Sequence, residues 1–310
     1  MSAPRAVHCA GAPRDLGLDQ GEALRAHVRQ SLSAAARGPA LVGELREWLP
    51  WSRSARAWRD VQAYFPHHAE RTLGLSLGAR VPTRALAARL AGLLAGDGGL
   101  AVGLSGERAG AALLARSFGP GADPDAWVVR HSAPDNDYRS VELAPVWSAA
   151  AALGVNEHGL AATATAVPSA DPLLRGCAAP AVLLVQDVLQ RFDTVDKAVE
   201  WALRRPAGGS ASLLLADASG RLAGVAIEGR KRRLLDANGA VLAGFGPAAS
   251  LASLEKVLAE AGALDAASVA RLLAEASARP RLVVVADPAG RRLGVARSDA
   301  AIEWSEVGAA

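Results

Sequence analysis

Leu153–Ala166 reads LGVNEHGLAATATA. Two short apolar runs, 149–155 and 160–167, flank the tetrapeptide Asn156-Glu157-His158-Gly159. Asparagine and glycine tolerate the left-handed backbone of a tight turn, so the segment reads as a β-hairpin. Asn156 therefore has a structural role open to it as a turn residue.

Outward from this hairpin the same texture recurs. Residues 100–104 and 111–117 flank a turn at Gly106-Glu107-Arg108-Ala109-Gly110. Runs 127–132 and 140–143 are separated by Ala133-Pro134-Asp135-Asn136-Asp137. Runs 212–216 and 222–228 meet through Asp217-Ala218-Ser219-Gly220, and 282–286 and 292–297 through Asp287-Pro288-Ala289-Gly290. Each D-x-x-G stretch is ordinary hairpin chemistry. Helical periodicity separates these strand groups over 181–192, 195–204 (with Thr194 as N-cap), 247–261 and 266–276.

The first hundred residues read as helices over 15–37, 41–49, 55–64 and 83–94, broken at Gly38-Pro39 and ended by Asp97-Gly98-Gly99. Trp48, Trp51, Trp58, Tyr64 and Phe65 form an aromatic cluster suited to helix packing. Strand hairpins with segregated helix pairs predict an α+β fold, with helix layers on both faces of antiparallel sheet rather than a βαβ arrangement.

Composition narrows the function. The 310 residues fit about two domains or one large one. With 51% hydrophobic and 21% charged residues, a sizeable core is available and bulk disorder is excluded. The net charge is 34 − 31 = +3, too small to select nucleic acid or an anionic membrane. Two cysteines, Cys9 and Cys177, make neither a disulfide framework nor a C-x-x-C site. No apolar run reaches the ~18 residues of a membrane span, and the N-terminal stretch lacks a signal-peptide core. A cytoplasmic location is the expectation.

No Walker loop and no G-x-S-x-G elbow occurs. Gly244-Phe245-Gly246-Pro247-Ala248-Ala249 has a G-x-G-x-x-A form, but helix follows where a dinucleotide site needs a strand. His67 and His68 are adjacent, so on a helix their side chains diverge by about 100° and sharing a metal is not expected. Glu70 could pair weakly with His67, Asp135 and Asp137 read as a solvated turn, and His8, His27 and His131 have no partner at ligand spacing. No metal and no cofactor is assigned.

Four segments in order resemble one family. Gly154-Val155-Asn156-Glu157-His158-Gly159-Leu160 resembles a G-x-N-E-x-G-L segment of the N-terminal-nucleophile (Ntn) hydrolases. The branch is that of acyl-coenzyme A:6-aminopenicillanic acid acyltransferase (peptidase C45-like) and choloylglycine hydrolase. Gly11–Arg25 resembles the G-x-P-x-x-x-G-x-x-x-G-E opening of the acyltransferase subfamily. Ala112–Gly119 resembles its hairpin segment ending R-N-x-D, and Arg281–Ala296 its C-terminal hairpin. The resemblance implies an αββα four-layer sandwich over 100–310, preceded by a helical, prodomain-like segment over 1–99.

In active members the chain cuts itself before a cysteine, whose thiol attacks while its freed α-amine acts as base. An asparagine and backbone N–H groups hold the oxyanion, each donor contributing about 3 kcal/mol. Here Leu100 follows the Asp97-Gly98-Gly99 turn at the nucleophile position. Arg116 and Asn156 are the retained site residues, while Ser117 and Gly119 stand at the asparagine and aspartate positions. Gly244 and Phe245 lie where an asparagine-histidine pair is usual. Loss of such a nucleophile costs on the order of 10⁶ in rate.

The expectation is a catalytically degenerate, uncut homologue with a ligand-binding or regulatory role. One alternative is an active acyltransferase or amide hydrolase with another nucleophile, Ser105, Cys9 or Cys177. The other is a binding module in which Arg116 and Asn156 meet carboxylate or amide groups. Expected partners are a small acyl or amide compound, and a second copy or an active paralogue. Nucleic acid and membrane are not expected.

Overall fold

The computed structural model describes residues 5–36, 52–91, 99–119, 123–166, 179–235, 241–244, 254, 256–258, 260, 264–277, 282–297 and 301–308. In chain order, β1 (Arg5–Gly11) leads into α1 (Pro13–Ala23), α2 (Arg25–Ala36), α3 (Arg53–Tyr64), α4 (Pro66–Ala79) and α5 (Thr83–Ala91). Then come β2 (Ala101–Leu104), the short α6 (Gly106–Ala109), β3 (Leu113–Phe118), β4 (Trp127–Pro134), β5 (Ser140–Pro145), β6 (Leu153–Asn156) and β7 (Leu160–Ala166). Helices α7 (Val182–Arg191) and α8 (Val195–Arg204) precede β8 (Ser210–Asp217), β9 (Leu222–Glu228), β10 (Lys231–Leu235) and β11 (Val241–Gly244). The chain continues with α9 (Ala266–Ala276), β12 (Leu282–Asp287), β13 (Arg292–Ala296) and β14 (Glu303–Glu306).

Among the described residues the strands form two sheets. The first runs β1-β4-β5-β6-β7-β8-β9-β10, and the second β11-β2-β3-β12-β13-β14. Every pairing is antiparallel except β1 with β4. Three apolar clusters separate four layers. One packs helices α1–α5, α7 and α8 on the outer face of the first sheet, through Leu16, Val28, Val61, Leu75, Leu86, Leu184 and Ala198. A second fills the space between the sheets with Leu114, Val141, Val155, Leu214 and Val284. The third lays α9 and the helical residues around Leu254 and Leu258 on the second sheet. This is the α+β, four-layer αββα order expected from the sequence.

Some local expectations change. The first hundred residues are not all helical, because Arg5–Gly11 adds a parallel edge strand beside β4. The single helix over 15–37 is two, divided at Leu24. Thr194 is the N-cap residue of α8 but its side chain makes no capping bond; the Val195 N–H instead bonds Asp217 Oδ2 at 2.9 Å. Trp58 and Phe65 pack into the helix-layer core, whereas Tyr64 is exposed. Trp48, Trp51 and most of the helix read over 247–261 lie outside the described residues.

The glycines in Gly11–Arg25 have a packing reason. A Cβ on Gly17 would lie 1.9 Å from Arg71 O, and one on Gly74 1.9 Å from Arg14 O. Gly21 and Gly78 repeat the relation one turn on, at 2.5 Å from Leu75 O and 2.4 Å from Leu18 O. Helices α1 and α4 therefore cross backbone to backbone, and only glycine fits. Helix propensity alone would favour alanine by about 1 kcal/mol. Overpacking against rigid backbone costs about 1–3 kcal/mol or more and wins. Gly74→Ala is expected to lower the urea midpoint, while Gly106→Ala, whose Cβ meets nothing nearer than 3.8 Å, leaves it within error.

Candidate functional site

Leu100 begins the β2–β3 hairpin. Gly99 before it is required by a close approach: a Cβ there would lie 1.9 Å from Ser117 O. The Leu100 side chain is 1% exposed and belongs to the cluster with Leu254, Leu258, Val269 and Leu273, on the helix-facing side of the second sheet. Its amide N–H donates to Ser117 Oγ at 2.9 Å, and its carbonyl accepts the Ser117 N–H at 2.8 Å. Ser117 Oγ also shares a 2.6 Å hydrogen bond with Ser277 Oγ at the end of α9. The position is thus occupied by packing and by amide hydrogen bonds. Asp97, Gly98 and Phe245 lie outside the described residues.

Arg116 points the other way. It is paired with Ala101 in the β2–β3 ladder and alternates with Ser117, so it faces the first sheet. Its Nη1 donates to Ala164 O at 2.5 Å and to Ala152 O at 3.4 Å, and its guanidinium lies 4.5 Å over the Phe118 ring. Burial lowers its pKa to about 9. Arg116 therefore bridges the two sheets through backbone carbonyls.

Asn156 faces a third environment. Its Nδ2 donates to Leu189 O at 2.9 Å and Phe192 O at 2.7 Å, tying the end of α7. Its Oδ1 accepts the His158 and Leu160 N–H groups at 3.1 and 2.9 Å, closing the β6–β7 turn around Gly159 at φ +77°. Both amide protons and both oxygen lone pairs are used within the fold. Leu100, Arg116 and Asn156 consequently face three different layers, and the structure does not bring their side chains together.

The other candidate nucleophiles are equally separate. Cys9 is buried in β1, and burial raises its thiol pKa against the lowering effect of Arg71 and Arg130. A protonated, buried thiol is a poor nucleophile. Ser105 stands at the start of α6 with its Oγ buried and without a hydrogen-bond partner. Cys177 lies outside the described residues.

Two polar clusters lie in the helix layer on the first sheet. In the first, Arg130 on β4 is the register partner of Glu142 on β5, and both are fully buried. Arg130 Nε and Nη2 donate to Glu142 Oε2 at 2.8 and 2.6 Å. Arg130 Nη1 reaches Gln20 Oε1 on α1 at 2.8 Å, and Nη2 reaches Gln186 Oε1 on α7 at 2.7 Å. Glu142 Oε1 accepts from Ser140 Oγ at 2.5 Å and Gln186 Nε2 at 2.6 Å. Burial alone would raise the Glu142 carboxyl, but Arg130, Arg71 and these hydrogen bonds outweigh it and hold it at about 2. The available signal was a lone charge of opposite sign in each of two adjacent apolar strands.

In the second cluster His67 and His68 converge. Nε2 of His67 lies 2.5 Å and Nε2 of His68 2.8 Å from the same oxygen, Oδ1 of Asp187 on α7. Although adjacent on the helix, both rings turn onto the one Asp187 oxygen, their centroids 4.3 Å apart. Burial lowers the His68 pKa to about 4 against the pull of Asp187. Glu70 does not join, because it pairs with Arg14 at 2.9 Å.

No family model and no curated protein matches the chain. Solved structures do. An N-acylethanolamine-hydrolyzing acid amidase ortholog from Caenorhabditis elegans superposes with TM-score 0.52 and 13% identity, covering 61% of this chain and 93% of that one. The fold is that of the Ntn hydrolases. Penicillin V acylase from Agrobacterium tumefaciens (TM-score 0.48, 17% identity, 67% of this chain and 86% of that) is also similar. So is a mutant conjugated bile acid hydrolase from Clostridium perfringens (0.45, 14%, 66% and 92%). At 13% identity the likeness to the amidase ortholog is one of fold.

Removing Glu142 leaves Arg130 buried without its counter-ion, a change that costs about 3–5 kcal/mol. The pH dependence has a definite sign. A carboxyl held at about 2 instead of 4.5 gives stability that is complete above the higher value and lost as pH falls through the lower one. Chemical denaturation is expected to show wild-type stability falling between these limits. Glu142→Gln should be much less stable near neutrality and flatter across that window.

Proposed function

We propose that this chain is a non-cleaving, catalytically silent member of the Ntn-hydrolase fold, acting through binding rather than acyl transfer. One observation carries the reading. At the position that the resemblance assigns to the nucleophilic cysteine stands Leu100, buried toward α9, its amide committed to Ser117. A leucine side chain has no lone pair to attack a carbonyl, and an uncut amide supplies no amine base. The fold neighbours are named for acylase and amidase activities, which makes a small acyl- or amide-bearing compound the ligand class of first choice. Membership of the C45-like branch, as the four sequence segments suggest, is part of the same proposal. So is a prodomain-like origin for 1–99.

Acylation by a β-lactone or an activated ester tests it. Peptide mass spectrometry after incubation is expected to find no stoichiometric acyl group on any residue. A labelled Ser105, Cys9 or Cys177 would overturn the proposal and favour an enzyme with a displaced nucleophile.

A further inference from the structure

The His67–His68–Asp187 cluster lies apart from Leu100, on the helices that cover the first sheet. His67 and His68 open α4, immediately after Pro66; Asp187 is in the middle of α7. One nitrogen of each imidazole and a carboxylate oxygen lie within 4.8 Å of one another. The Asp187 side chain is fully buried and that of His68 1% exposed, while His67 is 26% exposed and forms the solvent edge.

Hydrogen bonding alone leaves this cluster incomplete. Both imidazoles address Oδ1, and Oδ2 of Asp187 is buried with no hydrogen-bond partner. Arg191 Nη1 lies 3.9 Å from Oδ2, beyond hydrogen-bond reach. An unsatisfied buried carboxylate oxygen is costly. Two imidazole nitrogens and one carboxylate form a donor set suited to a borderline divalent ion. Zinc–ligand distances of about 2.0–2.2 Å place neighbouring donors roughly 3.3 Å apart in a tetrahedron. The two Nε2–Oδ1 separations of 2.5 and 2.8 Å need to widen by less than about 1 Å to reach that spacing, and all three donors already lie within 4.8 Å of one another.

We propose that His67 Nε2, His68 Nε2 and Asp187 are the three protein ligands of a divalent metal site, with zinc as the fitting ion. Its fourth position opens to water on the exposed His67 side. The ion joins α4 of the N-terminal segment to α7 of the sandwich, replacing two hydrogen bonds by three coordinate bonds.

The test is zinc titration of the chelator-treated, full-length protein by calorimetry, with X-ray absorption of the loaded form. One equivalent should bind in the micromolar range or tighter, with two imidazoles in the absorption fine structure. His67→Ala removes a ligand at the solvent edge, so circular dichroism should confirm an intact fold. Loss of a supporting residue alone costs about 10–100-fold in affinity, so this variant should lose at least that much. His8→Ala, at an exposed histidine stacked on His131, controls for adventitious surface binding and should change nothing. Absence of stoichiometric binding, or equal affinity in His67→Ala and wild type, would overturn the proposal. Neither result bears on the reading of Leu100.

Discussion

The buried Arg130–Glu142 pair is the constraint around which the first sheet and its helix layer are arranged. Two opposite charges face one another across β4 and β5 with no access to water. Such a pair is tolerable only when its remaining hydrogen-bonding capacity is filled. Gln20 from α1, Gln186 from α7, Ser140 from β5 and the carbonyls of Ser148 and Ala149 fill it. Helix α1, near the start of the chain, and helix α7, well beyond β7, are therefore specified by the same two charges. Arg71 of α4 adds a second buried cation beside them and donates to Ser132 at 2.9 Å. The glycine crossing of α1 with α4 then sets where Arg71, and the histidines one turn before it, can reach.

That arrangement binds the N-terminal residues into the sandwich. Strand β1 extends the first sheet in parallel with β4, and Gln20 also donates to Val146 O and Ser148 O. On the opposite side of the molecule, the hairpin that begins at Leu100 is held by different forces: apolar packing under α9 and the Ser117–Ser277 contact. The three residues of chemical interest are each consumed by structure. Leu100 fills a core, Arg116 bridges sheets, and Asn156 closes a turn and ends a helix.

Much of the fold was legible because hairpins and helices advertise themselves locally. Asp217 shows why: its Oδ1 accepts the Ser219 and Arg221 N–H groups, the turn chemistry that an Asp-x-x-Gly stretch specifies. Asn156 was legible as a turn residue for the same reason, and that local role is the one its hydrogen bonds fill. Strand β1 was not legible, since RAVHCAG has mixed polarity and owes its form to a partner more than a hundred residues away. The Arg130–Glu142 network and the Asp187 cluster escaped for a related reason. Their members come from segments far apart in the chain, and only the tertiary arrangement joins them. Adjacency along the helix diverges the His67 and His68 side chains, and only the tertiary placement of Asp187 brings both imidazoles onto one carboxylate oxygen.

Leu100 is part of the core under α9, and the proposed function requires the chain to stay in one piece there. Intact-mass measurement of the purified 310-residue chain, after prolonged incubation near neutral pH, tests this most directly. A single species of 31.7 kDa is expected. Two fragments, the larger beginning near residue 100, would contradict it.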